Sequence, residues 1–246
     1  MEVGFIGSGN MARALARGWG EPALFTDAGS GRAARLAEEV GGEAVASNRE
    51  LAERADVVIL AHKPAQLAAV AAEIGEARIV VTLLAGTSAA DVQNVCPAAA
   101  VFRVEPNTPV EVRRGTCALA AGDASPERAR VKALFERVGV VVELPEPLLG
   151  VAGACGGVGP AYWALLVEAW VDAAVRHGLP APVAATLVSE TMAGTAALLA
   201  ERDGDTLGLR RAVASPGGTT ARGLAALERG GVRAALAEAV DAVVTR

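Results

Sequence analysis

The fold of this chain is decided by ten residues near its start, Val3-Gly4-Phe5-Ile6-Gly7-Ser8-Gly9-Asn10-Met11-Ala12. The short apolar run at its beginning predicts a buried strand, and a Gly-x-Gly-x-x-Ala pattern opens a helix directly after it. In such a pattern Gly7 allows a tight turn, Gly9 lets a pyrophosphate approach the backbone, and Ala12 allows close packing of helix on strand. The stretch therefore predicts a dinucleotide-binding turn, whose contacts are expected from Gly7, Ser8, Gly9, Asn10 and Met11.

The first half of the chain alternates strand and helix patterns. Further short apolar runs follow the first one and are separated by helical stretches: Leu24–Thr26, Val57–Leu60, Ile79–Thr82 and Ala100–Phe102. This alternation is typical of a mainly parallel, doubly wound sheet with helices on both faces, the Rossmann architecture. We therefore predict an α/β dinucleotide-binding domain over residues 1–147.

From Leu148 onward strand patterns disappear, and apolar residues recur at helical spacing. These helices are apolar on more than one face, so we predict an all-α dimerisation and substrate-binding domain over residues 148–246 that pairs with another subunit.

Composition excludes several function classes. The net charge is −5, with acidic and basic residues interspersed, which indicates neither nucleic acid nor a membrane surface as a partner. We expect no apolar stretch to reach the roughly 20 residues that span a bilayer. Three separated cysteines and two histidines predict reduced thiols, no metal site and a cytoplasmic protein.

The residues after the second predicted strand leave the choice of cofactor open. Asp27 stands where an acid binds the ribose 2′-hydroxyl of NAD, whereas Ser30 and Arg32 can hold the 2′-phosphate of NADP. Asp27 can equally be a turn residue that caps the next helix. His62 and Lys63 follow another strand and are predicted at the cofactor edge.

A second anion site is predicted near the end of the chain, at Ser215-Pro216-Gly217-Gly218-Thr219-Thr220. Two glycines, a proline and three hydroxyls form a turn before a helix, where backbone N–H groups can hold a small anion. The two anion sites together predict an enzyme with two ligands.

The same six residues, followed by Gly223-Leu224, Leu227-Glu228, Gly231 and Arg233, resemble the C-terminal signature of pyrroline-5-carboxylate reductase. Matches elsewhere run in family order: Gly4 to Met11, Lys63-Pro64, Ala85-Gly86, Asn107-Thr108-Pro109 and Gly159 to Tyr162. The resemblance implies reduction of 1-pyrroline-5-carboxylate to proline by NADP or NAD in reduced form, with NADPH slightly favoured. It also implies a homodimer or a decamer built as a pentamer of dimers.

The resemblance also assigns site residues. It places Thr220 near the ring nitrogen as the catalytic residue, and it assigns the substrate to Glu146, Ser215, Gly217, Gly218, Thr219 and Thr220. To the residues already predicted at the cofactor it adds Asn48, Pro64, Ala85, Gly86 and Asn107.

Three departures from the family pattern stand out, of which the last keeps another imine substrate open. Ala12 replaces the usual glycine, which the Gly-x-Gly-x-x-Ala pattern permits. Glu105 replaces a common hydrophobic residue, and Gly156-Gly157-Val158-Gly159 replaces a serine-containing stretch. The alternatives are a reductase of another cyclic imine carboxylate and a dinucleotide-binding regulatory protein without turnover.

Overall fold

The computed structural model describes residues 1–244 of the chain. The chain divides into two compact units, Met1–Pro160 and Ala161–Arg246. The first unit is α/β and the second is all helical, as predicted. The division after Pro160 lies later than the boundary after residue 147 that the sequence suggests. A continuous helical segment, Glu146–Arg176, runs across both positions, so the earlier boundary stays a prediction.

The first unit is built on one sheet of eight strands: β1 (Val3–Ile6), β2 (Leu24–Thr26), β3 (Glu43–Ala44), β4 (Val57–Leu60), β5 (Ile79–Thr82), β6 (Ala100–Pro106), β7 (Gly115–Ala120) and β8 (Gly139–Leu144). Their order in the sheet is β3-β2-β1-β4-β5-β6-β7-β8. All neighbours pair in parallel except β6 and β7, which are antiparallel. The predicted doubly wound, mainly parallel sheet is confirmed.

Seven helices belong mainly to this unit: α1 (Asn10–Trp19), α2 (Arg32–Val40), α3 (Asn48–Arg54), α4 (Leu67–Ala71), α5 (Ala89–Val95), α6 (Pro126–Glu136) and α7 (Leu149–Ala152). They cover two separate hydrophobic clusters. One cluster joins α1, α2 and α6 to the sheet through residues such as Phe5, Trp19 and Phe135, and the other joins α3 and α5 through Leu51 and Val92. The strands between them are fully buried at the centre of the sheet because both faces are covered.

The strands β7 and β8 were not predicted from the sequence. In β7 buried residues are interrupted by partly or fully exposed ones, and in β8 every residue is at least partly exposed, with Val140 and Val142 among the exposed side chains. Strands at this end of the sheet, where β8 is the edge, lack the continuous apolar run that identifies the central strands.

Five helices follow: α8 (Gly159–Arg176), α9 (Ala181–Ala200), α10 (Thr206–Val213), α11 (Thr219–Arg229) and α12 (Val232–Val244). Between residues 161 and 244, only Ala184 and Val188 are buried. Large apolar side chains are instead exposed along these helices, among them Trp163, Leu165, Trp170, Leu187, Val213 and Leu227. Because ordering a chain costs free energy that apolar burial must offset, this unit needs a further surface to pack against.

Two helical segments, Glu146–Arg176 and Ala181–Ala200, are long and apolar enough to cross a membrane by length and composition. The expectation that no stretch reaches this length is therefore wrong. Ala-rich sequence with few charges raises mean hydropathy as much as a membrane helix does, and Ala181–Ala200 contains a single charged residue, Glu190. Only 11% of each apolar window is buried within the chain, so the same exposed surface suits a second protein subunit.

Gly18 allows α1 to pack closely against the 3₁₀ turn Thr108–Val112. A Cβ atom at Gly18 would overlap the carbonyl oxygen of Val110 and lie 3.0 Å from Cγ1 of Val138. The guanidinium of Arg113 also donates to the Gly18 carbonyl oxygen, at 2.8 Å. The helix is thereby held against the turn by sterics and by a hydrogen bond.

We predict that Gly18→Ala destabilises the protein by about 1–3 kcal/mol, because the overlap outweighs the better helix propensity of alanine. Thermal unfolding should show a melting temperature lower by several degrees. Gly75→Ala is the control, since nothing lies within 4 Å of a Cβ atom there. Equal melting temperatures for the two variants would contradict the close contact.

Candidate functional site

The carboxyl ends of β1, β2 and β4 surround a cavity of about 610 Å³. The structure brings most residues predicted for the cofactor to its lining: Gly7, Ser8, Gly9, Asn10, Met11, Asp27, Ser30, Arg32, Asn48, His62 and Lys63. This position, at the carboxyl ends of parallel strands, is where open α/β sheets bind their ligands.

The glycine loop between β1 and α1 has the geometry of a phosphate cradle. Gly7 has a φ of +99°, and a Cβ atom there would lie 2.6 Å from the Ala61 carbonyl oxygen. Gly9 borders open space, with nothing within 4 Å of a Cβ position. No side chain caps the first turn of α1, so its N–H groups and the positive end of the helix dipole remain for an anion. These features fit the pyrophosphate of a dinucleotide.

The Asp27 carboxylate holds the loop between β2 and α2 together by accepting five hydrogen bonds. Its Oδ1 accepts from the N–H groups of Gly29 and Ser30, and its Oδ2 accepts from the Ser30 hydroxyl and from the N–H groups of Arg32 and Ala33. Burial alone would raise the pKa of Asp27, but these hydrogen bonds lower it to about 2. Asp27 thus caps the first turn of α2. A capping role was one of the two roles that the sequence offered for this residue. Ser30 and Arg32 line the cavity.

His62 and Lys63 follow β4 and border the glycine loop. The Nδ1–H of His62 donates to the Lys63 carbonyl oxygen at 2.9 Å, while its Nε2 is buried and accepts no hydrogen bond from the described residues. Burial lowers the pKa of His62 despite the hydrogen bond to Lys63. The imidazole is therefore neutral at physiological pH and is a poor proton donor.

Sequence reasoning missed six residues of the cavity lining: Ile6, Thr26, Ala28, Ala61, Gln66 and Val70. Thr26 links the glycine loop to the rest of the site, because its carbonyl oxygen accepts from Gly7 N–H at 3.0 Å and from the Ser8 hydroxyl at 3.2 Å. Its position as the last residue of a predicted strand was the available signal. Gln66 and Val70 lie in and after the turn that begins at Pro64, and no motif marks them.

Four residues predicted for the cofactor do not line this cavity: Pro64, Ala85, Gly86 and Asn107. Pro64 begins a 3₁₀ turn, Pro64–Gln66. Asn107 is buried, and both hydrogens of its amide are used, one toward the Thr116 hydroxyl and one toward the Gly156 carbonyl oxygen, each at 3.0 Å. In the described chain, Asn107 thus anchors the glycine-rich segment Gly153–Gly157 through Gly156. Its role in cofactor binding stays a prediction.

The glycine-rich segment, which includes two residues of the Gly156–Gly159 departure from the family pattern, is helical. Residues Gly153–Gly157 form a π-helix between α7 and α8, with a hydrogen bond from Val158 N–H to the Gly153 carbonyl oxygen at 3.0 Å. The bond from Asn107 to Gly156 holds this wider helical turn against the sheet. Single π-helical turns are frequent at functional sites.

Glu146 lies in an ionic cluster after β8. Its Oε1 accepts from Ala89 N–H at 2.7 Å and from Arg103 at 3.3 Å, and Arg103 also pairs with Glu105 at 2.6 Å. The cluster explains the departure at Glu105, which neutralises the Arg103 guanidinium together with Glu146. It also ties the first residue of α5, Ala89, to Glu146 at the start of the helical segment Glu146–Arg176.

The turn from Ser215 to Thr220 forms as the sequence predicted. Gly218 N–H donates to the Ser215 carbonyl oxygen at 3.0 Å, and Gly217 between them has a φ of +69°. Proline and then glycine with positive φ at the two central positions are the signature of a type II turn. The turn leads into α11 with no side-chain cap, so the first N–H groups of α11 remain for an anion. Assignment of these residues to a substrate stays a prediction.

Within residues 1–244, no group of three His, Cys, Asp or Glu side chains is arranged to hold a metal ion.

We predict that Asp27→Asn lowers the melting temperature at neutral pH, because the new amide NH₂ faces N–H donors and leaves them unpaired, at a cost of about 1–3 kcal/mol. The pKa of Asp27 is about 2 in the folded state against 3.8 ordinarily. The carboxylate therefore stabilises the fold above pH 3.8, and this contribution is lost as the pH falls toward 2.

Thermal unfolding of both proteins over a pH series measures the effect. The difference in melting temperature should be constant near neutrality and should shrink as the pH falls below 4. A difference that is absent at neutral pH, or that grows in acid, would contradict the capping role.

Two family models match the chain. Residues 146–246 match "Pyrroline-5-carboxylate reductase dimerisation" and residues 2–86 match "NADP oxidoreductase coenzyme F420-dependent". The pyrroline-5-carboxylate reductase of Synechocystis is 39% identical over 258 aligned residues, which cover 100% of this chain and 97% of that protein.

Solved structures agree with these sequence matches. The Plasmodium falciparum pyrroline carboxylate reductase with NADP bound superposes with a TM-score of 0.88 at 27% identity, covering 100% of this chain and 96% of the other. A pyrroline-5-carboxylate reductase from Coxiella burnetii gives a TM-score of 0.87 at 31% identity, with coverage of 99% and 96%. From the Synechocystis match over nearly its whole length, together with the glycine loop and the Ser215–Thr220 turn, this chain belongs to the pyrroline-5-carboxylate reductase family.

Proposed function

We propose that this chain reduces 1-pyrroline-5-carboxylate to proline with NAD(P)H. The observation that carries the proposal is the preformed turn from Ser215 to Thr220, which opens α11 and matches the family signature. The cavity behind the glycine loop supplies the second site that a two-ligand reductase needs.

The chemistry asks little of the protein beyond orientation. A reduced nicotinamide dinucleotide supplies a hydride when it is bound, and a protonated cyclic imine accepts it at the imine carbon to give the amine. Because the protonated imine is already activated, no strong protein acid is needed, and the enzyme contributes mainly by positioning. A neutral His62 agrees with this requirement.

On the substrate side, the N–H groups at the start of α11 hold the carboxylate, together with the Ser215 hydroxyl. Thr220 lies in the first turn of α11, where its hydroxyl binds the ring nitrogen. Glu146 holds the start of α5 through Ala89 N–H, which uses its Oε1, and its Oε2 accepts from the substrate.

NADPH is the preferred cofactor in this proposal. Both carboxylate oxygens of Asp27 accept hydrogen bonds from the loop, so they are poorly placed to bind a ribose hydroxyl as well. Ser30 and Arg32 line the cavity and offer a hydroxyl and a guanidinium, which suit a 2′-phosphate.

The active form is a homo-oligomer in the cytoplasm. The family model for dimerisation covers residues 146–246, where the apolar faces of α8 and α9 are exposed. A second copy that packs on these faces gives the helical unit a core, and a pentamer of such dimers is the larger assembly we propose. The cysteines Cys96, Cys117 and Cys155 are all free, which suits a reducing compartment.

The direct test is loss of NADPH or NADH absorbance when the purified protein is mixed with 1-pyrroline-5-carboxylate. Rapid oxidation supports the proposal and ranks the two cofactors. Oxidation only with a six-membered cyclic imine carboxylate would reassign the substrate. Cofactor binding without oxidation by any cyclic imine would favour a regulatory protein.

We predict that Thr220→Ala lowers kcat/KM for the imine by about ten- to a hundredfold, because one transition-state hydrogen bond is lost. Thr220→Ser keeps the hydroxyl and should retain most activity. Steady-state kinetics at saturating NADPH compares the two. Equal kinetics for wild type and Thr220→Ala would reject the catalytic role.

We predict that Arg32→Gln raises the KM for NADPH by about tenfold, the loss of one charge-assisted hydrogen bond, and leaves the KM for NADH nearly unchanged. Arg35→Gln is the matched control, because Arg35 is exposed on the same helix and does not line the cavity. A parallel rise in both KM values for Arg32→Gln would argue against a 2′-phosphate contact.

A further inference from the structure

One cavity residue, Asn48, is held by two protein partners outside the glycine loop. The Thr26 hydroxyl lies 2.6 Å from Asn48 Oδ1, and Asn48 Nδ2 lies 2.7 Å from Glu73 Oε2. Asn48 begins α3, Thr26 ends β2, and Glu73 follows α4. Three separate elements therefore meet at one amide that lines the cofactor cavity.

Glu73 fixes which way this amide faces. An ionised carboxylate only accepts hydrogen bonds, so it requires the NH₂ side of Asn48 next to it. The opposite orientation would place Asn48 Oδ1 against a carboxylate oxygen and leave two acceptors facing each other. With Glu73 present, Oδ1 accepts from the Thr26 hydroxyl and one Nδ2 hydrogen points to Glu73.

The second Nδ2 hydrogen of Asn48 has no partner among the described residues 1–244. Asn48 is half-buried and lines the cavity. The loop of Asp27, Ser30 and Arg32 lines the same cavity. A fixed donor beside that loop suits an oxygen on the adenosine ribose of the dinucleotide, either a hydroxyl or the 2′-phosphate.

The geometry points to Glu73 as a positioning residue for the cofactor, which acts through Asn48 and does not itself line the cavity. This inference rests on the proposed dinucleotide binding. Its energetic basis is preorganisation, because an amide that is already oriented loses less freedom when the ligand binds. Without Glu73, Asn48 can turn its acceptor oxygen toward the ligand oxygen.

The test is the affinity of the full-length protein for NADPH and NADH, measured by titration of dinucleotide fluorescence without any imine. We expect Glu73→Ala to raise both dissociation constants by about three- to tenfold, or that of NADPH more if the partner is the 2′-phosphate. At saturating cofactor, kcat and the KM for the imine should stay unchanged. Glu73→Gln keeps an acceptor but adds an NH₂ donor that can pair with Asn48 Oδ1, so its dissociation constants should fall between those of wild type and Glu73→Ala.

Two controls separate positioning from a general effect on the fold. Glu76→Ala removes a nearby exposed carboxylate and should leave affinity unchanged. Asn48→Ala should weaken binding by itself, and adding Glu73→Ala to it should cost nothing more, since Glu73 acts only through Asn48.

Two results would overturn the inference: unchanged affinity in Glu73→Ala, or a further loss when it is added to Asn48→Ala. A protein that binds NADPH but reduces no imine would reject the proposed function and leave the Glu73 measurement valid. A protein that binds neither dinucleotide would reject both.

Discussion

The candidate nucleotide site depends on the close approach of Gly7 to the backbone of Ala61 and His62. At a φ of +99° and with no room for a Cβ atom, the chain leaves β1 and turns at once into α1. This single contact brings the ends of β1 and β4 together and directs the first turn of α1 at the cavity. It also allows the Thr26 carbonyl oxygen to accept hydrogen bonds from Gly7 N–H and from the Ser8 hydroxyl. A Cβ atom at position 7 would lie 2.6 Å from the Ala61 carbonyl oxygen and 2.7 Å from the His62 backbone nitrogen. Since these are backbone atoms and not mobile side chains, a side chain there would push β1 and β4 apart.

The central sheet could be predicted from the sequence because its strands are buried on both faces. Val57–Leu60 and Ile79–Thr82 read as uninterrupted apolar runs, and a sheet covered on both sides produces that pattern. The strands β7 and β8 escaped prediction since one side of each is partly exposed. The π-helix at Gly153–Gly157 also escaped, because its geometry depends on Asn107, which is distant in sequence.

For the candidate cofactor site, sequence motifs predicted where residues lie in the fold. They did not predict the role of a residue when that role depends on its hydrogen-bond partners. The glycine motif located the loop, and the strand ends located Asp27, His62 and Lys63. Whether Asp27 binds ribose or caps a helix depends on five hydrogen bonds within its own loop, which no spacing rule contains. Thr26 and Glu73 belong to no sequence motif. Their contacts with Asn48 are recognised only in the folded structure, where three elements meet.

In a single chain Trp163 and Trp170 of the helical unit are more than half exposed. The stability of this unit therefore depends on the concentration of the protein. When two chains complete one core, the stability of each depends on how many others are present, so dilution acts as a denaturant does. A newly made subunit that meets no partner displays aromatic and aliphatic side chains of the kind that chaperones and proteases bind. The amount of assembled enzyme then rises more steeply than the amount of chain synthesised.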